Sequence, residues 1–447
     1  MKALFQNVFF KMGMIMVLII ILLIPAIMVQ DLIRERMVRQ DEAVFEVSSK
    51  HATSQSVTGP VLTVPYTTLR QLERTDGTTY EVKDETKYYH ILPENLEING
   101  EITPEKRKRG LFEVVVYGSD LKIEGHFAMA EFLEQGIPYE SLDLDKAFIT
   151  VGISDLKGVT DQVKINVDGE SFMCNPGLLS TDVVNSGLHI RYPMDTVPEQ
   201  MDFNFDLSLN GSENIMFTPI GKVTQVNLVS NWSEPSFDGN FLPESRVVND
   251  DGFTASWKVL HLNRNYPQGW VGDQHYVDDS NFGVNLRLPV DVYQKSMRVA
   301  KYAILFIVLT YLVFFFVEIL NQILIHPIQY ILVGIALVLF YVLLLAFSEQ
   351  IYFDLAYMIS AGMTISLILF YCRSILKSWG LAMMTASILL ILYGFIFIII
   401  QMQDWALLFG SLGVFLILAV TMYFSRRVDW FELKGMKTDL KTEELQE

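Results

Sequence analysis

The chain has 447 residues, is 51% hydrophobic and carries a formal net charge of −17, with a mean hydropathy of +0.30. That is too apolar for an ordinary soluble protein of this length, and the acidity excludes nucleic acid and anionic lipid as electrostatic partners. Two cysteines, Cys174 and Cys372, exclude a disulfide framework. The charge is uneven: residues 31–301 hold 41 acidic and 25 basic side chains, a net of −16, and the remainder of the chain nets −1.

Residues 12–29 read MGMIMVLIIILLIPAIMV and contain no charge. At ~1.5 Å per residue they cross ~27 Å, close to the hydrocarbon core of a bilayer. Lys2 and Lys11 precede the run; Asp31, Arg34 and Glu35 follow it. This predicts an uncleaved anchor with a cytoplasmic N-terminus. Residues 30–50 continue as a predicted helix, with Ile33, Met37 and Val44 on one face.

Strand signals come next, over residues 61–66, 87–92, 111–117, 121–127, 147–153, 163–167, 201–209, 222–229 and 252–259. Asn99-Gly100, Asp168-Gly169, Asn210-Gly211 and Asp251-Gly252 read as turns between them. A short helix is expected over 131–135. Strands at this spacing predict a β-sandwich or two stacked β units. Residues 291–301 read as a basic juxtamembrane helix leading into five further apolar runs: 302–317, 330–347, 351–371, 379–400 and 405–424. Arg373, Lys377, Arg426 and Arg427 fall on one side of that arrangement, as the positive-inside rule expects.

The expected architecture is therefore six transmembrane helices plus a large extracytoplasmic β-rich, sandwich-like domain. Its parts are a cytoplasmic N-terminus (1–11), the anchor (12–29), the periplasmic domain (30–301), a five-helix bundle (302–424) and a cytoplasmic tail (425–447).

Motifs for a zinc protease, a nucleophile elbow, a phosphate loop or a dinucleotide fold are absent. The seven histidines are scattered, with no pair at i, i+4. No catalytic residue, metal or cofactor is assigned. Glu318 and Asp354 are the carboxylates inside or at the ends of apolar runs, and intramembrane carboxylates serve as proton relays in some proteins. Their positions near run ends favour contact with headgroups or water. The segment 263–270, NRNYPQGW, is predicted to be a loop, since Pro267 breaks a helix and Gly269 permits a sharp turn. Arg264, Asn265, Tyr266 and Trp270 make it a candidate partner-binding loop, because Arg, Tyr and Trp dominate interface hot spots. The competing reading has Tyr266 and Trp270 plugging the β core while Arg264 satisfies buried carbonyls.

Several short elements carry a resemblance. They are Gly239-x-Phe241-Leu242-Pro243, Gly252-Phe253-Thr254-Ala255-x-Trp257 and Arg264-Asn265-Tyr266-Pro267-Gln268, with Gly59-Pro60-Val61-Leu62 and Ile153-Ser154-Asp155-x-x-Gly158 earlier in the chain. In this order, with an anchor, an external domain and five spans, the chain resembles the Cet/CreD family of bacterial inner-membrane proteins. The resemblance implies a role in envelope integrity, with altered colicin tolerance and links to the CreBC two-component response and cell-wall stress; with no catalytic motif found, that role is expected to be non-enzymatic. No catalytic residue is established for that family, so none is carried over; the charge pattern and the six spans are what predict both termini in the cytoplasm. The expected partners are the bilayer and a periplasmic or membrane protein, with no nucleic acid. The rival expectations are a transporter or channel component built on the helix bundle, and a membrane enzyme acting on envelope lipid or glycan.

Overall fold

The computed structural model describes residues 8–73, 79–129, 141–286, 292–321, 323–402 and 405–426. The chain divides into two compact units, one of residues 1–40 and 290–447, the other of residues 41–289.

The second unit is β-rich. Its strands are β1 (Gln55–Glu73), β2 (Thr79–Ile91), β3 (Asn95–Arg109), β4 (Phe112–Ala128), β5 (Phe148–Ile153), β6 (Lys164–Val167), β7 (Glu170–Met173), β8 (Asn175–Pro176) and β9 (Gly187–Arg191). There follow β10 (Gln200–Ser212), β11 (Asn214–Thr218), β12 (Val223–Ser230), β13 (Ser236–Gly239), β14 (Ser245–Asn249), β15 (Gly252–Leu260), β16 (Gly269–Val271) and β17 (Phe282–Asn285). They form two sheets. One runs β13-β17-β11-β1-β5-β9-β8, with β2 on β1 and β16 on β2; the other runs β14-β15-β12-β3-β4-β10-β6-β7.

Alternation sets the inward faces. Along β10, Met201, Phe203, Phe205, Leu207 and Leu209 are buried while Asp202, Asn204 and Asp206 face out. Inward side chains of both sheets, from Val57 and Ile149 to Leu96 and Phe203, join one continuous apolar core.

Each strand signal lies within or overlaps an observed strand. Residues 111–117 and 121–127 belong to a single long strand, β4, paired with β3 from His126 to Phe112. Asp168-Gly169 is a turn, with φ of 49° and 85°, the conformation of a two-residue hairpin loop. Asn99-Gly100 and Asn210-Gly211 are not turns; they sit inside β3 and β10. A Cβ on Gly100 would press on Leu121 and Leu228, and one on Gly211 would strike the Tyr117 ring. These glycines are spaces for large neighbours rather than chain reversals. The helix expected over 131–135 lies outside the described residues.

The other unit is helical. Helix α1 (Val8–His51) is continuous from the anchor through the helix expected after it, with Pro25 inside; its residues from Asp41 onward belong to the β-rich unit. It is followed by α2 (Val292–Lys301), α3 (Ala303–Asn321), α4 (Pro327–Ser348), α5 (Phe353–Leu376), α6 (Trp379–Gln401) and α7 (Ala406–Ser425). Among the described residues five helices, α1 and α3–α6, are long and apolar enough to cross a membrane; the stretch Leu408–Tyr423 of α7 is a shorter apolar helix. A stripe on α1 at Ile15, Leu18, Leu22, Ala26, Val29 and Ile33 is buried, whereas Met16, Ile20, Ile24 and Ile27 are exposed. The helical period therefore divides an all-apolar segment into a packed face and an outer face suited to lipid. Leu22 packs where Gly334 of α4 has no side chain.

Candidate functional site

Three of the four side chains expected on a binding loop face inward. Arg264 donates from Nη1 to the carbonyls of Tyr266 (2.6 Å) and Pro267 (3.4 Å), and from Nη2 to the carbonyl of Ile220 (3.0 Å) and to Gln268 Oε1. Its guanidinium stacks over the Tyr266 ring, 4.1 Å from the centroid. Burial lowers its pKa to about 10, so it stays charged at neutral pH, held by carbonyl dipoles. The Tyr266 hydroxyl bonds Ser280 Oγ at 2.9 Å. Trp270 lies opposite His90 in the β16–β2 pair and packs edge-on against His275. Arg264, Tyr266 and Trp270 are buried, and Asn265 is exposed.

The neighbouring short motifs close the same region. Trp257 Nε1 donates to the Phe241 carbonyl at 3.2 Å, and both rings pack on Phe282. Gln268 Nε2 donates to the Pro93 carbonyl at 2.8 Å. Gly239 has φ +97° and lies where a Cβ would strike the Asn281 carbonyl. Elsewhere in the unit, Asp155 Oδ2 accepts from Thr53 N and Oγ1, both at 3.0 Å, just past the end of α1. A Cβ on Gly158 would meet the Asn210 carbonyl and Gln55. The chemistry of these motifs is that of stapling loops to strands.

His90 is a group that sequence reasoning passed over. Its Nδ1 lies 3.0 Å from Thr63 Oγ1, and its Nε2 lies 3.1 Å from Asp182 Oδ2. Burial pushes its pKa below the ordinary value, outweighing the pull of Asp182. Thr63 is buried as well, so this row of groups lacks the access that a nucleophile needs. Among the described residues no cluster of His, Cys, Asp and Glu could hold a metal ion.

In the helical unit, Glu318 is 1% exposed rather than open to headgroups or water. It forms an ion pair with Lys11, itself buried. Its Oε1 also accepts from the Ile325 backbone N–H at 2.8 Å, and its Oε2 from the Tyr330 hydroxyl at 2.9 Å. Tyr311 in turn donates to the Tyr330 carbonyl at 2.6 Å. In the sequence Lys11 looks like a charge flanking the anchor. Its signal was its place one turn before Ile15, on the buried stripe of α1. The structure ties the first helix to α3 and α4 through this pair. Asp354 does not join it: exposed in the first turn of α5, it accepts from Gln401 Nε2 at 2.7 Å.

A family model described as "Inner membrane protein CreD" matches residues 7–431. The chain is 32% identical over 435 residues to the inner membrane protein CreD of Escherichia coli (strain K12), an alignment covering 96% of this chain and 95% of that relative. The match runs from the first apolar helix past the last one, through every motif described above: the chain belongs to the CreD family of inner membrane proteins.

Proposed function

We propose that this protein maintains envelope integrity and acts in the response to cell-wall stress, through contacts made by its β-rich unit outside the inner membrane and without catalysing a reaction. In this reading the chain crosses the membrane six times, with α7 as the sixth span and both termini in the cytoplasm. The two sheets pack as a sandwich in the periplasm. The observation that carries the reading is the match to an inner membrane protein over 96% of the chain. Arg264, Tyr266 and Glu318 add support, because each is bonded to its own chain, as parts of a rigid scaffold are. The partner, a periplasmic or membrane protein, then meets the outer surface, where Asn265 is the exposed member of the 264–270 set.

The test is deletion of the gene followed by complementation. The full chain is expected to restore colicin response and tolerance of cell-wall inhibitors. In-cell photocrosslinking from Asn265 and neighbouring surface positions should capture one envelope protein. Restoration by residues 290–447 alone would overturn the role given to the β-rich unit.

One observation favours a second reading, a pathway through the helices: the buried Lys11–Glu318–Tyr330 group. Under that reading Glu318→Gln abolishes function in a protein that still folds and inserts. Under the first reading any loss of function follows the loss of folded protein.

A further inference from the structure

Thr310 in α3, Tyr341 in α4, Ser360 in α5 and Tyr393 in α6 are each at most 2% exposed, and none of their hydroxyls has a hydrogen-bond partner in the protein. Counted along their helices, they sit at a similar distance from one set of helix ends. Thr310, Tyr341 and Ser360 are each seven residues from Ala303, Ser348 and Phe353, and Tyr393 is eight from Gln401, ~10–12 Å along each axis. Short connections reverse the chain from α3 to α6, so those four helix ends face the same side.

Two rings pack against both tyrosines of this set. Phe306 lies 4.5 Å from the Tyr393 ring and 6.1 Å from that of Tyr341, and Phe340 lies 4.7 Å and 4.9 Å from the same two.

Serine and threonine in a helix ordinarily donate to the carbonyl one turn back. Thr385 does so to Leu381 at 3.0 Å and Thr421 to Ile417 at 2.8 Å; Thr310 and Ser360 do not. Lipid offers a bare hydroxyl nothing, and a dry core with several of them at one level is costly. The groups are uncharged, and each both donates and accepts. Both named carboxylates are engaged elsewhere, Glu318 with Lys11 and Asp354 with Gln401. This chemistry suits water and not a bare ion.

We propose that Thr310, Tyr341, Ser360 and Tyr393 form an internal water-binding site, a discrete hydrated layer inside the bundle walled by Phe306 and Phe340. The proposal stands apart from either functional reading.

X-ray radiolytic footprinting of the full chain in lipid nanodiscs, in ¹⁸O-labelled water, tests it. Radicals born at bound water oxidise the rings beside it. Tyr341, Tyr393 and Phe306 should be oxidised several-fold faster than Phe314 and Phe315, buried rings of the same bundle. In a Tyr341→Phe, Tyr393→Phe variant, which keeps the ring volume, the Phe306 rate should fall to that of Phe314. Uniformly slow oxidation means a dry layer and overturns the proposal. Uniformly fast oxidation means bulk water throughout, and it overturns the discrete site as well. The wild-type comparison decides the matter even where the double variant does not fold.

Discussion

Arg264 shows how a residue type that suggests binding serves packing. Its donors meet three backbone carbonyls of two loops, so truncation leaves those carbonyls buried and unpaired. Arg264→Ala should destabilise the β-rich unit by about 2–4 kcal/mol. Urea unfolding followed by tryptophan fluorescence would read the loss, and an unchanged midpoint would refute the stapling role. His90 makes a pH prediction. Its folded pKa lies below the ordinary 6.5, so the unfolded chain binds the proton more tightly. The stability held by the neutral ring is complete above pH 6.5 and is lost as pH falls through the lowered native value. Melting temperatures measured from neutral to mildly acidic pH should decline less steeply for His90→Gln than for the wild type. Identical slopes would remove His90 from the account.

The next scale is that of helices held by single contacts. A charge placed on the buried stripe of α1 is stable only against a partner, and Glu318 supplies it. Lys11→Met alone leaves the carboxylate buried and uncompensated, a loss of about 3–5 kcal/mol. Adding Glu318→Gln should recover much of that, because the amide keeps an oxygen for the Ile325 N–H and its NH2 can donate to the Tyr330 hydroxyl oxygen. A double-mutant cycle on unfolding in mixed micelles measures this coupling; strictly additive losses would mean that the pair does not hold the helices. The charged part of α1 beyond Val29 and helix α2 follow different rules. Asp31 and Glu35 pair with Arg34 and Arg39 of their own helix, whereas Lys295 of α2 lies over the Phe353 ring. Helices α1 and α2 instead meet where Gln30 donates to the Ala300 carbonyl at 3.2 Å. Cysteines at 30 and 300, with Cys174 and Cys372 replaced, should therefore form a disulfide faster than cysteines at 35 and 298. The opposite order would mean that charge, not this contact, sets the register.

For the whole molecule the open quantity is topology. In the proposed six-span topology, Arg373 and Lys377 at the end of α5 and Arg426 after α7 share the cytoplasmic face, as the positive-inside rule expects. Alkaline phosphatase fused after Thr150 should be active, and fused after Lys437 inactive; activity at both would refute six spans. Membrane character, the position of the apolar runs and most long strands are legible in the chain alone. Those signals are local: an uninterrupted apolar run or a period-two alternation is complete within its own segment. Order and chemistry of the motifs likewise revealed the family. Where the polar groups go is a matter of long-range packing. Lys11 and Glu318 are 307 positions apart in the chain, Thr63 and Asp182 meet only across His90, and Gly100 and Gly211 serve neighbours on other strands. A turn-forming dipeptide and a strand glycine that makes room for a ring are written with the same letters. Which one forms depends on what long-range pairing brings alongside, because the energy of a buried polar group or a close approach is set by its partners in space rather than by its neighbours in the chain.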